Sequence, residues 1–185
     1  MPTILATSRS TRHGFSKQPQ PSITLIANEG VEGDAHRGRT VQHPYQVRKN
    51  PSAPNLCQVH LFASEMLDAL AAAGFPLAPG DLGENLLTQG IDLIHLPLGT
   101  HLTIGPDPTT APILEVTGLR TPCTQIETFR PGLQALLYGP PAPNTTRKTL
   151  RAGIMTTVLR GGPIHPSDPI HLTLPPPPHH PLGPV

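Results

Sequence analysis

Proline stands at 26 of the 185 positions, and no other feature restricts this chain so much. A proline has no amide hydrogen to donate and a fixed φ, so it interrupts helix interiors and central strands alike. It also pushes the residue before it toward extended backbone. Prolines recur in nearly every connection, which excludes long helices and leaves short strands joined by stiff turns. Apolar residues make up 36%, and with 17 glycines the total approaches the globular average, so a packed core is expected. With four Phe, two Tyr and no Trp, that core must be built from Leu, Ile, Val and Ala. Splitting a chain of this length in two would leave each half a thin core, so one domain is expected.

Residues 3–8 and 22–28 are short β-rich runs on either side of a polar loop at 13–17. The segment GVEGDAHRG at 30–38 reads as a glycine-punctuated loop, and the stretch 41–55 as an irregular excursion. A strand over 57–62 runs into a helix over 64–73, with Ser64 as N-cap and Gly74 just past its end. Met66, Leu67, Leu70 and Ala71 form the stripe this helix should bury. PGDLGENLL at 79–87 is a second glycine-punctuated loop entering a strand, and short strands follow over 91–96, 100–104 and 113–118. A short helix is expected over 132–137 and a mobile Pro/Asn/Thr-rich excursion over 139–149. Closing strands over 153–160 and 169–174 are joined by a turn at Gly161 and Gly162. The last eleven residues, PPPPHHPLGPV, form a low-complexity tail expected to be disordered or weakly held and extended. The reading is a mainly β, barrel-like domain over 1–174 with a few short helices, followed by a Pro/His-rich tail over 175–185.

The net charge of +1 hides a segregation. Residues 65–127 hold eight acids and one base, Arg120, whereas 128–167 hold five bases and no acid, and 35–64 four bases and no acid. Two basic stretches that meet in space make an anion site; apart, they are solvated faces. No aromatic residues interleave with the basic ones, which argues against a nucleic-acid groove. Two cysteines far apart give neither a disulfide framework nor a Cys-x-x-Cys pair, so free thiols in a reducing compartment are expected. No apolar run approaches the roughly 20 residues of a membrane span. The first 28 residues carry Arg9, Arg12 and Lys17 without an acid, a faint likeness to a mitochondrial transit peptide. The same stretch reads as the first strand and loop, and a cytoplasmic location is the expectation.

Cys123 carries the most chemistry. It lies in LRTPCTQIE, where Pro122 places the thiol at a turn. If a helix begins after it, free amides there and Arg120 nearby would favour the thiolate that soft metals and sulfur transfer require. The alternative is a buried cysteine serving as a small apolar residue. Asp34 and His36 could form an acid–base pair, supply a metal ligand, or join Arg37 and the loop amides in holding phosphate. They could equally be a tight loop whose Asp caps its own turn. Glu84 and Asn85, after Gly83, either present two polar side chains or cap a strand entry. His60 alternates with Val59 and Leu61, so it lines a pocket or faces water; Met155 and Leu159 read as core. There is no HExxH, EF-hand, P-loop, dinucleotide fingerprint or Gly-x-Ser-x-Gly elbow.

Together these segments say more. GVEGDAHRG, QVHLFASE, PGDLGENLLTQGIDLIHLPLGT, VTGLRTPCTQIE and AGIMTTVLRGG, in this order, resemble the MOSC family, named for the C-terminal domain of molybdenum cofactor sulfurases. The resemblance runs from the HGFSK segment at His13 to Leu174 and implies a MOSC-type β-barrel. It implies that Cys123 is the ligand of molybdenum in a molybdenum-pterin cofactor, with Arg120 and Thr121 orienting that ligand. The loops carrying Asp34 and Arg37, and Gly83, Glu84 and Asn85, would shape the pocket. Charge and position add Arg37, Arg151 and Arg160 as candidates for the cofactor's phosphate. Catalytic members of the family reduce N-hydroxylated compounds, and the expected activity is such a reduction of a small-molecule substrate, with His36 or His60 as proton donor. Without a flavin motif or an iron–sulfur cysteine set, electrons must come from a separate reductase. Two rival readings stand beside this one. In the first, Cys123 carries a persulfide delivered by a separate desulfurase; in the second, the domain binds without catalysing. The sequence departs from the resemblance at Cys57, where small bacterial-like members commonly have a basic residue, which reads here as a packed strand residue.

Overall fold

The computed structural model describes residues 1–141, 146 and 148–185. Its first strands are β1 (Thr3–Arg9), β2 (Gln18–Gln20), β3 (Ile23–Ile26) and β4 (Gly30–Val31). A short helix α1 (Pro44–Lys49) precedes β5 (Val59–Ala63), α2 (Ser64–Ala72) and β6 (Leu86–Gln89). A 3-10 turn at Leu93–His95 leads to β7 (His101–Ile104), β8 (Ile113–Leu119), α3 (Thr124–Phe129) and α4 (Leu133–Leu136). The chain ends with β9 (Tyr138–Pro141), β10 (Lys148–Leu150), β11 (Ile154–Arg160), β12 (Gly162–Ile164) and β13 (Ile170–Thr173). The expectation of a mainly β fold with short helices holds. Of the expected excursion over 139–149, residues 142–145 and 147 lie outside the described residues.

One sheet of eight strands dominates, in the order β13-β7-β8-β11-β5-β6-β1-β2. Its pairs are antiparallel except β5 with β6, which are parallel and need the crossover that α2 supplies. The sheet curls until the amide of Ile4 donates to Asp168 (3.0 Å) and that of Ile170 to Pro2 (2.9 Å). Between β1 and the start of β13 the contact is a single bridge, Thr3 to Pro169, so no continuous barrel ladder closes. Alternate residues of β8 and β11 point into the curl. There Ile4, Leu61, Leu86, Leu102, Leu114, Ile154 and Val158 are fully buried, each contributing roughly 1.5–3 kcal/mol relative to exposure. A second core forms on the outer face, where Phe62, Leu70, Ile126, Leu133 and Leu137 bury α2, α3 and α4 against the sheet.

Several expectations are corrected. Ser64 is the first residue of α2, not its cap; Ala63 holds the cap position, and Ser64 itself is buried while Ala71 is exposed. The expected strand over 91–96 is instead a 3-10 turn, because both edges of the preceding β6 are already taken by β5 and β1. The chain leaving β6 has no free edge to follow, and it buries Ile91 and Leu93 as a plug. The two closing strands do not pair with each other. β11 lies between β8 and β5, β13 pairs with β7, and the diglycine leads into β12 beside β3. The tail is extended but docked. The amide of Leu98 donates to His180 (2.9 Å), that of Leu119 to Gly183 (2.7 Å) and that of Val185 to Leu119 (3.2 Å), while Leu182 packs on the core. β7 begins only at His101, leaving the end of β8 with an open edge that the tail fills.

Candidate functional site

The end of β8 delivers Cys123 to a cavity of about 740 Å³. The turn that carries the thiol is pinned on several sides. Arg120 donates its amide to Gly153 (3.0 Å), Pro122 accepts from Gln134 Nε2 (3.1 Å) and from the Tyr138 hydroxyl (3.2 Å), and Cys123 accepts from the Ile126 amide (3.1 Å). Cys123 occupies the N-cap position of α3 and is half-buried. Cys57, expected to be a packed strand residue, lines the same cavity. Burial pushes its thiol up to about 11, against the pull of Arg120.

Arg120 sits among these groups. Its guanidinium donates to the Leu82 carbonyl and lies near Cys123, Glu84 and Cys57; burial lowers its pKa and these neighbours oppose the shift. Gly83, also in the cavity wall, is held at φ 78°, and a Cβ there would strike the Phe15 carbonyl. Only glycine suits such a position. Glu84 does not present its side chain to the cavity. It is 1% exposed, its Oε1 accepts from the Gly80 amide (2.6 Å), its Oε2 has no partner, and burial raises its pKa.

Asp34 is a hub rather than a lining group. Its carboxylate accepts from Lys17 Nζ (2.7 Å), the amides of His36 (2.9 Å) and Ser10 (3.3 Å), Asn85 Nδ2 (3.1 Å) and His36 Nδ1 (3.3 Å). Burial opposes its ionisation, but the bonds from His36 and Lys17 outweigh burial and hold the carboxyl well below the usual carboxylate range. Through it Lys17, His36 and Asn85 are held at the cavity wall. Asn85 is further fixed by accepting from the His60 amide (3.2 Å) and donating to Ser8 (3.1 Å). His36 stands edge-on to His13, ring centres 5.0 Å apart, and His43, the cap of α1, completes the rim.

His60 also lines the cavity, but the proton-donor expectation does not fit it. Burial holds its pKa well below the ordinary value, and its Nε2–H is committed to the Ala152 carbonyl (2.8 Å). Nδ1 is left as a buried, unpartnered acceptor. The arginine expectations need correction too. Arg37 pairs with Glu29 (2.6 Å) away from the cavity, Arg151 lines a separate cavity, and Arg160 clamps the carbonyls of Ala111, Thr109 and Pro108. Guanidinium groups satisfy several acceptors at once, and Arg37 and Arg160 found partners that sequence distance hides. Thr121 lines the cavity. Missed in the sequence were Lys17, His13, His43, Arg48 and Gln125. The HGFSK segment was the one signal for the first two. No Asp or Glu side chain is among the lining residues, while Lys17, Arg48 and Arg120 are.

The fold and site define a class: a curled, mainly β domain presenting Cys123, at the start of a short helix, to a cavity lined by basic residues. The MOSC domain model matches residues 48–171, and the chain belongs to the MOSC domain family. The fold is similar to that of the YuaD protein from Bacillus subtilis, at TM-score 0.71 and 20% identity, covering 93% of this chain and 96% of that one. It is also similar to YiiM from Geobacillus stearothermophilus, at TM-score 0.59 and 18% identity over 94% of this chain and 75% of that one. YiiM from Escherichia coli matches at TM-score 0.58 and 18% identity over 94% and 70%. A search of curated proteins finds no match.

Proposed function

We propose that the cavity binds a molybdenum-pterin cofactor with Cys123 as metal ligand, and that the loaded protein reduces N-hydroxylated small molecules. The observation that carries this reading is Cys123 opening onto a large cavity lined by Arg120, Arg48, Lys17 and four histidines with no Asp or Glu side chain. The donor set fits. Among the described residues no three His, Cys, Asp or Glu side chains gather to hold a bare metal ion. A metal on Cys123 therefore takes its other ligands from the molecule that carries it, and a thiolate suits a soft metal. A cavity of about 740 Å³ accommodates a molecule of that size, and its positive wall suits a phosphate.

When bound, such a cofactor supplies the two-electron couple for removing oxygen from a substrate nitrogen. The chain's residues do the rest. Cys123 holds the metal, and Arg120, anchored on Leu82, fixes positive charge beside the thiol. His36 moves the proton: Asp34 holds its Nδ1 and the ring is exposed to the cavity, whereas His60 has its one proton committed to Ala152. Electrons come from a separate reductase.

The test is elemental analysis for molybdenum with pterin fluorescence, on protein made in a cofactor-competent host, beside Cys123→Ala. Metal near one equivalent in the parent and lost in the variant, with folding retained, supports the reading and leads to reduction assays on hydroxylamines and amidoximes. No metal and no pterin in either defeats it. A mass increase of one sulfur on Cys123 would then replace it with the sulfur-carrier reading.

A further inference from the structure

Arg151 points to a second ligand site, one that the Cys123 chemistry does not use. It lines a separate cavity of about 530 Å³ beside α2 and the 3-10 turn. Most of that wall is apolar, from Met66, Ile91, Leu93 and Ile94, with Ile91 and Leu93 buried. Two carboxylates, Glu65 and Asp92, lie on the same wall, and each already has a partner. Glu65 Oε1 accepts the Gly90 amide at 2.7 Å, and Asp92 accepts from His95 at 2.8 Å.

Arg151 differs from both. Among the described residues it makes no ion pair, and its guanidinium donates no hydrogen bond. It is nonetheless held in place. Its amide donates to Leu137 (2.9 Å), and its guanidinium lies against the backbone of Gly139, where a Cβ would come within 2.5 Å of Nε. Gly153, two residues on, is fixed at φ 86° and lets the wall close on Leu61. The result is a half-buried cation whose donors are unused among the described residues, at the edge of an apolar chamber. A guanidinium presents a planar fork that matches a carboxylate, and a chamber of this volume is the size of ordinary small-molecule sites.

We propose that this cavity binds a small amphipathic carboxylate, a medium-chain or aryl-alkyl acid. The carboxylate engages Arg151, and the apolar body lies among Met66, Ile91, Leu93 and Ile94. The site is independent of the cofactor reading, because its lining residues are absent from the Cys123 cavity.

The experiment is calorimetric titration of the full chain with octanoate and 3-phenylpropionate, and with 1-octanol as the uncharged counterpart. Saturable binding at one equivalent is expected for at least one acid. Octanol, and the acid on Arg151→Gln, should bind roughly tenfold to a hundredfold more weakly, as loss of a charge-assisted pair implies. Ile94→Glu, at a half-buried position in the wall, adds a carboxylate to those of Glu65 and Asp92 and should abolish binding; Cys123→Ala should leave it intact. No saturable binding of either acid overturns the proposal. So does binding that survives Arg151→Gln and Ile94→Glu while failing in Cys123→Ala, since the acid would then occupy the other cavity. Circular dichroism of each variant separates lost binding from lost fold.

Discussion

Replacing Asp34 with alanine should cost more stability than any single change at the thiol. Its side chain is 2% exposed, and among the described residues it is the one carboxylate in ion-pair contact with Lys17, itself 6% exposed. Removing it leaves an ammonium buried without a counter-charge and strands the amides of Ser10 and His36 and the Asn85 carboxamide. Breaking a buried pair from one side costs about 3–5 kcal/mol, which for a domain of this size lowers Tm by about 6–20 °C. Lys17→Met should cost less, because the carboxylate it leaves behind keeps its bonds from Ser10, His36 and Asn85. The order of the two variants therefore tests which group is the hub. The assay is urea unfolding followed by circular dichroism, at neutral pH and across the acid range. Because the folded pKa of Asp34 is depressed, its contribution is complete above the ordinary carboxylate range and fades as pH falls below it. The gap between parent and Asp34→Ala should narrow in acid. A loss below about 1 kcal/mol at neutral pH, or a larger loss in Lys17→Met, would refute the reasoning.

Iodoacetamide at mildly alkaline pH should label Cys123 before Cys57, whose buried thiol is pushed up to about 11, with Cys57 labelling rising only toward that pH; peptide mass mapping reads the order. His60 should remain neutral with its proton on Nε2 in mildly acidic buffer, as nitrogen-15 shifts of the ring would report. With its folded pKa depressed, the unfolded chain takes up that proton first, so His60 lowers stability as pH falls through the ordinary histidine range. Arg160→Ala should release the loop carrying Pro108, Thr109 and Ala111 at a cost of about 1–3 kcal/mol. Faster amide exchange at Thr110 and Ala111, both bonded to the Asp107 carbonyl, would register it.

What the sequence made legible divides along physical lines. Strands such as β1, β8 and β11 were readable because their alternation and their Pro and Gly boundaries are local properties. Cys123 was readable because Pro122 and the segment around it fix a turn. The partner of each strand was not readable. The run at 91–96 has strand-like composition, yet it forms a 3-10 turn because β5 and β1 already flank β6, and occupancy of an edge is decided by distant residues. The arginines make the same point for the site. Arg37, Arg151 and Arg160 were chosen by charge, but the guanidinium groups of Arg37 and Arg160 go where carboxylates or carbonyls already converge. For Arg37 that is Glu29, eight positions away, and for Arg160 three carbonyls about fifty positions away. The base that does reach the thiol, Arg120, lies in the acidic part of the chain, and another base of the cavity wall, Lys17, comes from the first loop. Runs of charge therefore say little about where a pocket becomes positive. Its sign follows from which bases the fold gathers at the wall and which carboxylates, like Asp34, it buries behind it.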